Sequence, residues 1–295
     1  MGDAKGLKVT LWGTRGSYGV SGAGFVRHGG ATTCVEVEAH GAPPVIVDGG
    51  TGVAALGRSK AAALREAIVY QTHMHWDHVQ GYPFFAPLFD PLSSLTFRAV
   101  PRDGRSLGDV LDEQMTQPTF PIGLNQLPAR LRFEDLDLKG EERHGALEVG
   151  WTELCHPSGS TGYRFEAHGA SLVFTGDVEV RQGCMERLID FSRGADVLVM
   201  DAQYFPEEYG PRVGFGHSTP LDAVEVALRA GVGRLIMTHH DPTHDDERLD
   251  AKLALAREAA RGEGLVVDNG RDGMVIELGA RARMELDVAL ESARI

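Results

Sequence analysis

Short runs rich in valine, isoleucine and leucine mark the first half of the chain at Leu7–Trp12, Cys34–Glu38 and Val45–Asp48, and each predicts a strand. Over Gly52–Ala67 the pattern changes: alanine and leucine recur at i, i+3 and i+4, the period of a helix. A strand is expected at Ala67–Thr72, another at Leu95–Val100, and a helix at Ser106–Met115. The second half repeats this style. Its expected strands are Leu147–Leu154, Gly162–Glu166, Ser171–Thr175, Val197–Met200 and Arg234–Thr238, and its helices Cys184–Ser192, Pro220–Ala230 and Glu247–Arg261. With no composition break, this predicts a single α/β domain over residues 1–295, two sheets face to face with helices outside. Residues 116–146 have weak periodicity and read as an insertion that partly covers a site. Residues 279–295 read as a terminal helix or a loose tail.

At 295 residues the chain can bury a substantial core, and its 37 glycines point to many tight turns and ligand-bearing loops. The net charge of −13 argues against an extended grip on nucleic acid, so no stable nucleic-acid complex is expected, although a small anion could still sit at a metal centre. No secretory pattern opens the chain and no apolar run approaches a membrane span, so a cytoplasmic protein without membrane attachment is expected. Cys34, Cys155 and Cys184 match no zinc ribbon or disulfide framework, which fits a reducing compartment.

The chemistry concentrates after the Ala67–Thr72 run, in His73-Met74-His75-Trp76-Asp77-His78. A strand ending in such a turn can place imidazoles and a carboxylate around two metal ions, and zinc takes both ligand types. More ligands are available just past other apolar runs: His156, Asp177 in Thr175-Gly176-Asp177, and His239. His240 competes with His239. Cys155 beside His156 is a weak ligand candidate, because neighbouring side chains in a strand point to opposite faces.

The order His-x-His-x-Asp-His, then His, Asp and a last His, resembles the metallo-β-lactamase superfamily over roughly residues 7–278. That resemblance implies a four-layer αββα sandwich with metals at one edge. It implies His73, His75 and His156 on the first metal, Asp77, His78 and His239 on the second, and Asp177 between them. Val47-Asp48-Gly49-Gly50 resembles the family's early Asp-containing turn, with Asp48 orienting a ligand histidine. Gly216-His217-Ser218-Thr219, Leu235-Ile236-Met237-Thr238-His239 and Gly162-Tyr163-Arg164-Phe165 resemble the tRNase Z-like phosphodiesterase branch. Departures from tRNase Z turn the reading toward smaller substrates. Only 20 residues separate His156 from Asp177, leaving no room for a tRNA-binding arm, and Asp201-Ala202-Gln203-Tyr204 stands where His-Glu-Ala-Thr is usual. The similarity to cyclic-nucleotide phosphodiesterases and anti-Pycsar-like enzymes makes a small phosphodiester, above all a 3′,5′-cyclic nucleotide, the expected substrate.

Thr219-Pro220-Leu221-Asp222 has the form of a capping box with proline at the first helical position, so His217 is held near a helix N-terminus, where it could protonate a departing oxygen. Asp77 or Asp177 would position the attacking water. Two Zn2+ ions fit the ligand set, and Mn2+ or Fe2+ would also occupy it. The same ligands would serve a thioester or lactone hydrolase or, without catalysis, a metal-binding protein. A homodimer is plausible from the resemblance. The Gly13–Gly24 stretch reads as a loop at the site's mouth, with Arg15, Arg27 or His28 as possible substrate contacts. Asp201 reads either as an acceptor behind the ligands or as a turn residue. Trp76, Tyr82, Phe84, Phe85 and Phe89 read as core, although an aromatic near the mouth could stack on a base.

Overall fold

The computed structural model describes residues 5–279, so the expected tail lies, from residue 280 on, outside the described residues. Two seven-stranded sheets form the interior. The first comprises β1 (Lys5–Gly13), β2 (Cys34–Ala39), β3 (Val45–Val47), β4 (Ile68–Gln71), β5 (Ser94–Ala99), β6 (Arg130–Asp135) and β14 (Met274–Gly279), in the order β14-β1-β2-β3-β4-β5-β6. The second comprises β7 (Lys139–His144), β8 (Leu147–Leu154), β9 (Ser160–Ala167), β10 (Ala170–Phe174), β11 (Val197–Asp201), β12 (Arg234–Thr238) and β13 (Val266–Asn269), in the order β13-β12-β11-β10-β9-β8-β7. The sheets share one plan. Antiparallel pairing runs from β14 to β3 and from β7 to β10, and parallel pairing from β3 to β6 and from β10 to β13.

The central strands are buried on both faces, so their apolar runs are continuous. Val45, Val47, Val197 and Val199 pack in the layer between the sheets, together with Val9, Val149, Phe165 and Ile236. The intervening Ile46 and Val69 pack outward with Val53, Leu56, Leu107 and Leu111. These come from α1 (Gly52–Lys60) and α3 (Leu107–Gln114). Leu198, Met200 and Leu235 pack outward against Leu188, Ala223, Val226 and Ala256. These come from α4 (Met185–Ser192), α6 (Pro220–Ala230) and α7 (Asp246–Ala259). The result is the expected αββα arrangement. Two short helices, α2 (Trp76–Val79) and α5 (Pro206–Tyr209), lie at the strand ends.

The main differences from expectation are at the edges. Helix α1 stops at Lys60, whose ammonium reaches Glu36 and Glu38, and a 3-10 turn follows over Ala61–Leu64. Residues 116–146 are not simply a covering insertion: β6 and β7 lie there and form one outer edge of each sheet. Their half-exposed sequences, Arg-Leu-Arg-Phe-Glu-Asp and Lys-Gly-Glu-Glu-Arg-His, are charge-rich, as suits edges that must not pair with other chains. Strands β13 and β14, also at edges, have no counterpart among the expected elements. Among the described residues, no helix is long and apolar enough to cross a membrane.

Candidate metal centre

The site lies where parallel strands of both sheets end. Strand β4 delivers the histidine turn, with His75 in extended backbone at the cap of α2 and Asp77 and His78 in its single turn. Strand β10 delivers Asp177, β11 ends at Asp201, and β12 delivers His239, whose φ is 55°. Ligand-type atoms within 4.8 Å of one another gather at Asp177, Asp201, His217 and His239, a set that overlaps the second of two separate groups, a first of His73, His75 and His156 and a second of Asp77, His78, Asp177 and His239. Asp177 lies between them. Its Oδ1 is 3.2 Å from His78 Nε2 and 3.1 Å from His239 Nε2, while its Oδ2 is 3.5 Å from His73 Nε2 and 3.9 Å from His156 Nε2.

The outward nitrogens of His78, His156 and His239 are tied down, which selects the tautomer and aims the other nitrogen inward. His78 Nδ1 donates to Asp48 Oδ2 at 2.8 Å, and Asp48 also accepts from the Thr72 amide at 2.8 Å. His156 Nδ1 donates to the Gly216 carbonyl at 2.8 Å, and His239 Nδ1 to Gln203 Oε1 at 2.9 Å. His240 turns away, its Nε2 3.0 Å from the Gly270 carbonyl, so His239 alone of that pair joins the cluster.

The two groups differ electrostatically. Burial holds His73, His75 and His156 below the usual imidazole value, His156 at about 4. Burial acts the same way on His78 and His239, but the carboxylates outweigh it. Asp177, Asp77 and Asp48 hold His78 well above its usual value, and Asp177 and Asp77 raise His239 to about 10. Burial opposes ionisation of Asp177 and Asp77, yet the facing imidazoles keep both below the usual carboxylate range.

The residues fit divalent metal. His73 Nε2, His78 Nε2 and Asp177 Oδ1 are buried without a hydrogen-bond partner. An unsatisfied buried polar atom costs about 1–3 kcal/mol, and three of them around one space suit a cation better than a packed core. His217 adjoins both groups. Its ring stacks on His239 at 4.6 Å and meets His156 edge-on at 5.2 Å, and Nδ1 donates to Asp201 Oδ2 at 2.8 Å. The capping box is present: Thr219 accepts from the Asp222 amide and donates to its carboxylate, fixing the start of α6 three residues after His217. Asp201 is therefore the acceptor behind His217 rather than a turn residue.

Several supports have no signal in spacing or periodicity. Glu179 is buried and accepts from the Tyr209 hydroxyl at 2.7 Å and the Gly216 amide at 2.8 Å, thereby holding the loop that orients His156. Lys252, fully buried and pushed down to about 7 by burial, donates to the Ala202 and Gln203 carbonyls at 2.9 and 2.7 Å, behind the glutamine that orients His239. The glycine-rich loop touches the site through its backbone. The Ser17 amide donates to Asp77 Oδ2 at 2.7 Å, and a Cβ on Gly16 would fall 2.3 Å from His239 Nδ1. The expected contacts from this loop do not form a substrate site: Arg15 is buried against the Gly29 and His244 carbonyls, Arg27 pairs with Asp250, and His28 pairs with Asp246. Tyr82 and Phe85 are core, but Trp76, Phe84 and Phe89 are exposed, contrary to expectation.

Residues 45–240 match the family model described as the beta-lactamase superfamily domain, an interval that includes every residue of both clusters and the His217–Asp201 pair. The chain is 28% identical over 246 residues to a ribonuclease Z from Exiguobacterium sibiricum, covering 68% of this chain and 79% of that protein. The metallo-beta-lactamase fold protein YhfI from Bacillus subtilis superposes with a TM-score of 0.71 at 20% identity, covering 93% of this chain and 100% of that one. Unliganded yeast PDE1 superposes with a TM-score of 0.66 at 16% identity, again over 93% of this chain and 100% of that one. The chain belongs to the beta-lactamase superfamily domain family, and with it to the metal-dependent hydrolases of this fold.

Proposed function

We propose that the chain is a binuclear metal-dependent phosphodiesterase that hydrolyses a small phosphodiester, with a 3′,5′-cyclic nucleotide as the preferred class. His73, His75 and His156 would hold one ion, Asp77, His78 and His239 the other, and Asp177 both; two Zn2+ suit this donor set. When bound, such ions supply Lewis acidity that activates water and offsets phosphate charge.

The observation that carries the reading is the Asp201–His217 pair beside both groups. Asp201 takes the Nδ1 proton, so Nε2 is the nitrogen that would carry a second proton, in the imidazolium form, and pass it to the leaving oxygen. An alkoxide leaving group needs that proton, whereas a thiolate, with a parent thiol pKa near about 8.5, departs without it. Asp77, held by the Ser17 amide, is placed to orient the attacking water and accept its proton. The names ribonuclease Z and PDE1 among the similar proteins favour the same bond. Against a tRNA substrate, His156 and Asp177 are separated only by a short loop and the β9–β10 hairpin, whose turn has His168 and Gly169 at φ 52° and 79°. Pairing of two copies is part of the proposal only as an expectation for solution measurement.

The test is hydrolysis by one metal-loaded preparation of 3′,5′-cyclic nucleotides, bis-p-nitrophenyl phosphate, a thioester and a precursor tRNA. The reading expects the diesters to be cut and Asp77→Ala to lose that activity. Equal rates for wild type and Asp77→Ala, or cleavage of the thioester alone, would overturn it.

A further inference from the structure

The metal centre is open on one side. Asp77, His78, Asp177 and His239 are buried and so is the His156 side chain, whereas His75 is exposed. Solvent and substrate therefore reach the centre on the His75 side. Three exposed aromatic residues are neighbours in the chain of residues that build or support the centre. Trp76, 61% exposed, lies between His75 and Asp77 in the chain. Phe215, 59% exposed, precedes Gly216, whose carbonyl orients His156. Tyr18, 54% exposed, follows Ser17, whose amide holds Asp77. Consecutive Cα atoms are about 3.8 Å apart, so each ring is tethered one residue from a candidate ligand or from a group bonded to one.

Scattered exposed apolar side chains are ordinary, but clustering is informative. Among the described residues, the other exposed large aromatics are Phe84 and Phe89, and Phe84 already packs edge-on against Phe120. The cations tied to the site's supports are engaged elsewhere. Arg15 is on backbone carbonyls, Arg102 on Glu153 and Thr161, Arg181 on Asp222, and Arg212 on the Glu208 carbonyl over the Tyr204 ring. A polyanionic chain needs free cations along its path. A planar, uncharged group needs exposed rings, and Trp76, Phe215 and Tyr18 are exposed beside residues of the centre in the chain.

We propose that Trp76, Phe215 and Tyr18 hold a planar aromatic group of the substrate, a nucleobase or an aryl ester, beside the phosphodiester under attack. The rim then selects compact single-phosphate diesters with an aromatic substituent over alkyl diesters and over polyanionic chains. This specificity rests on the phosphodiesterase reading and adds the residues that would read the substrate.

Two diesters that share a leaving group isolate the effect: p-nitrophenyl phenyl phosphate and methyl p-nitrophenyl phosphate. With kcat/KM divided by each ester's uncatalysed rate, the metal-loaded protein is expected to favour the phenyl ester by about tenfold, mainly through KM. Trp76→Ala should collapse that ratio, Phe215→Ala should reduce it, and Trp76→Phe should restore part of it, each at wild-type metal content. Equal corrected values in wild type, or a ratio unchanged in both alanine variants, overturns the rim while the phosphodiesterase reading stands. Cleavage of neither diester overturns both. If Trp76→Ala instead separates a dimer and leaves the ratio intact, the rim is a contact between copies and the proposal falls.

Discussion

The two halves of the metal centre use similar side chains in opposite electrostatic states. His73, His75 and His156 form a partly open group with no carboxylate of its own, and burial keeps its imidazoles toward the neutral form that binds metal. Asp77, His78, Asp177 and His239 form a closed group in which two carboxylates hold two imidazoles toward the charged form. A cation entering the first half meets lone pairs that are already free. One entering the second must displace protons, and two carboxylates then offset its charge. The closed half is thus self-neutralising with or without an ion. The open half depends on an ion to become positive, and that is the side a phosphate would reach.

The most disruptive way to break this contrast is to remove the residue shared by both halves. Asp177→Ala takes a carboxylate from between His73, His78 and His239, so activity should be abolished and metal content should fall in both halves. Removing one partner of a buried charge pair costs about 3–5 kcal/mol, which denaturant unfolding of the metal-free protein would register. His217→Ala should leave metal content near wild type and slow cleavage of an alkyl-leaving diester by about 10²–10⁴-fold. The loss should be much smaller for a p-nitrophenyl leaving group, which departs without a proton. Comparable losses on the two substrates would remove His217 from leaving-group protonation.

Two glycines separate the halves with smaller perturbations. Gly216 has φ 95°, and a Cβ there would fall 2.1 Å from His156 Nδ1; on Gly16 it would fall 2.3 Å from His239 Nδ1. Gly216→Ala should weaken the first ion and Gly16→Ala the second, each by about 10–100-fold, the usual effect of disturbing the support of a ligand. Stepwise metal titration of the two variants checks this, and weakening of the same step in both would contradict it.

The fold's centre and the ligands are legible in the sequence because they follow strong rules. Buried strands such as Ile68–Gln71, Ala170–Phe174 and Arg234–Thr238 write apolar runs, and His73, Asp177 and His239 sit just past them. Edge strands β6 and β7 are hidden because one exposed face and many charges erase the apolar signal. The supports are hidden for another reason. Glu179, Gln203 and Lys252 act through hydrogen bonds to residues far along the chain, which leave no local period. Gly16 is visible only as part of a glycine-rich loop, since its close approach to His239 is a property of the tertiary fold. Trp76 reads as core because aromatic residues usually are, and only the placement of the histidine turn at an open edge exposes it.

Proton release on metal loading tests the contrast between the halves most directly. His239 is raised to about 10, so in the metal-free protein its ion pairs contribute stability that is fully present below about pH 6.5 and is lost as pH rises through about 10. Over the same window the second ion should bind progressively better as less proton displacement is required. Calorimetric titration at about pH 7, repeated in buffers of different ionisation enthalpy, should show more protons released with the second ion, whose site holds His78 and His239, than with the first. Equal release in both steps, or none in either, would contradict the account.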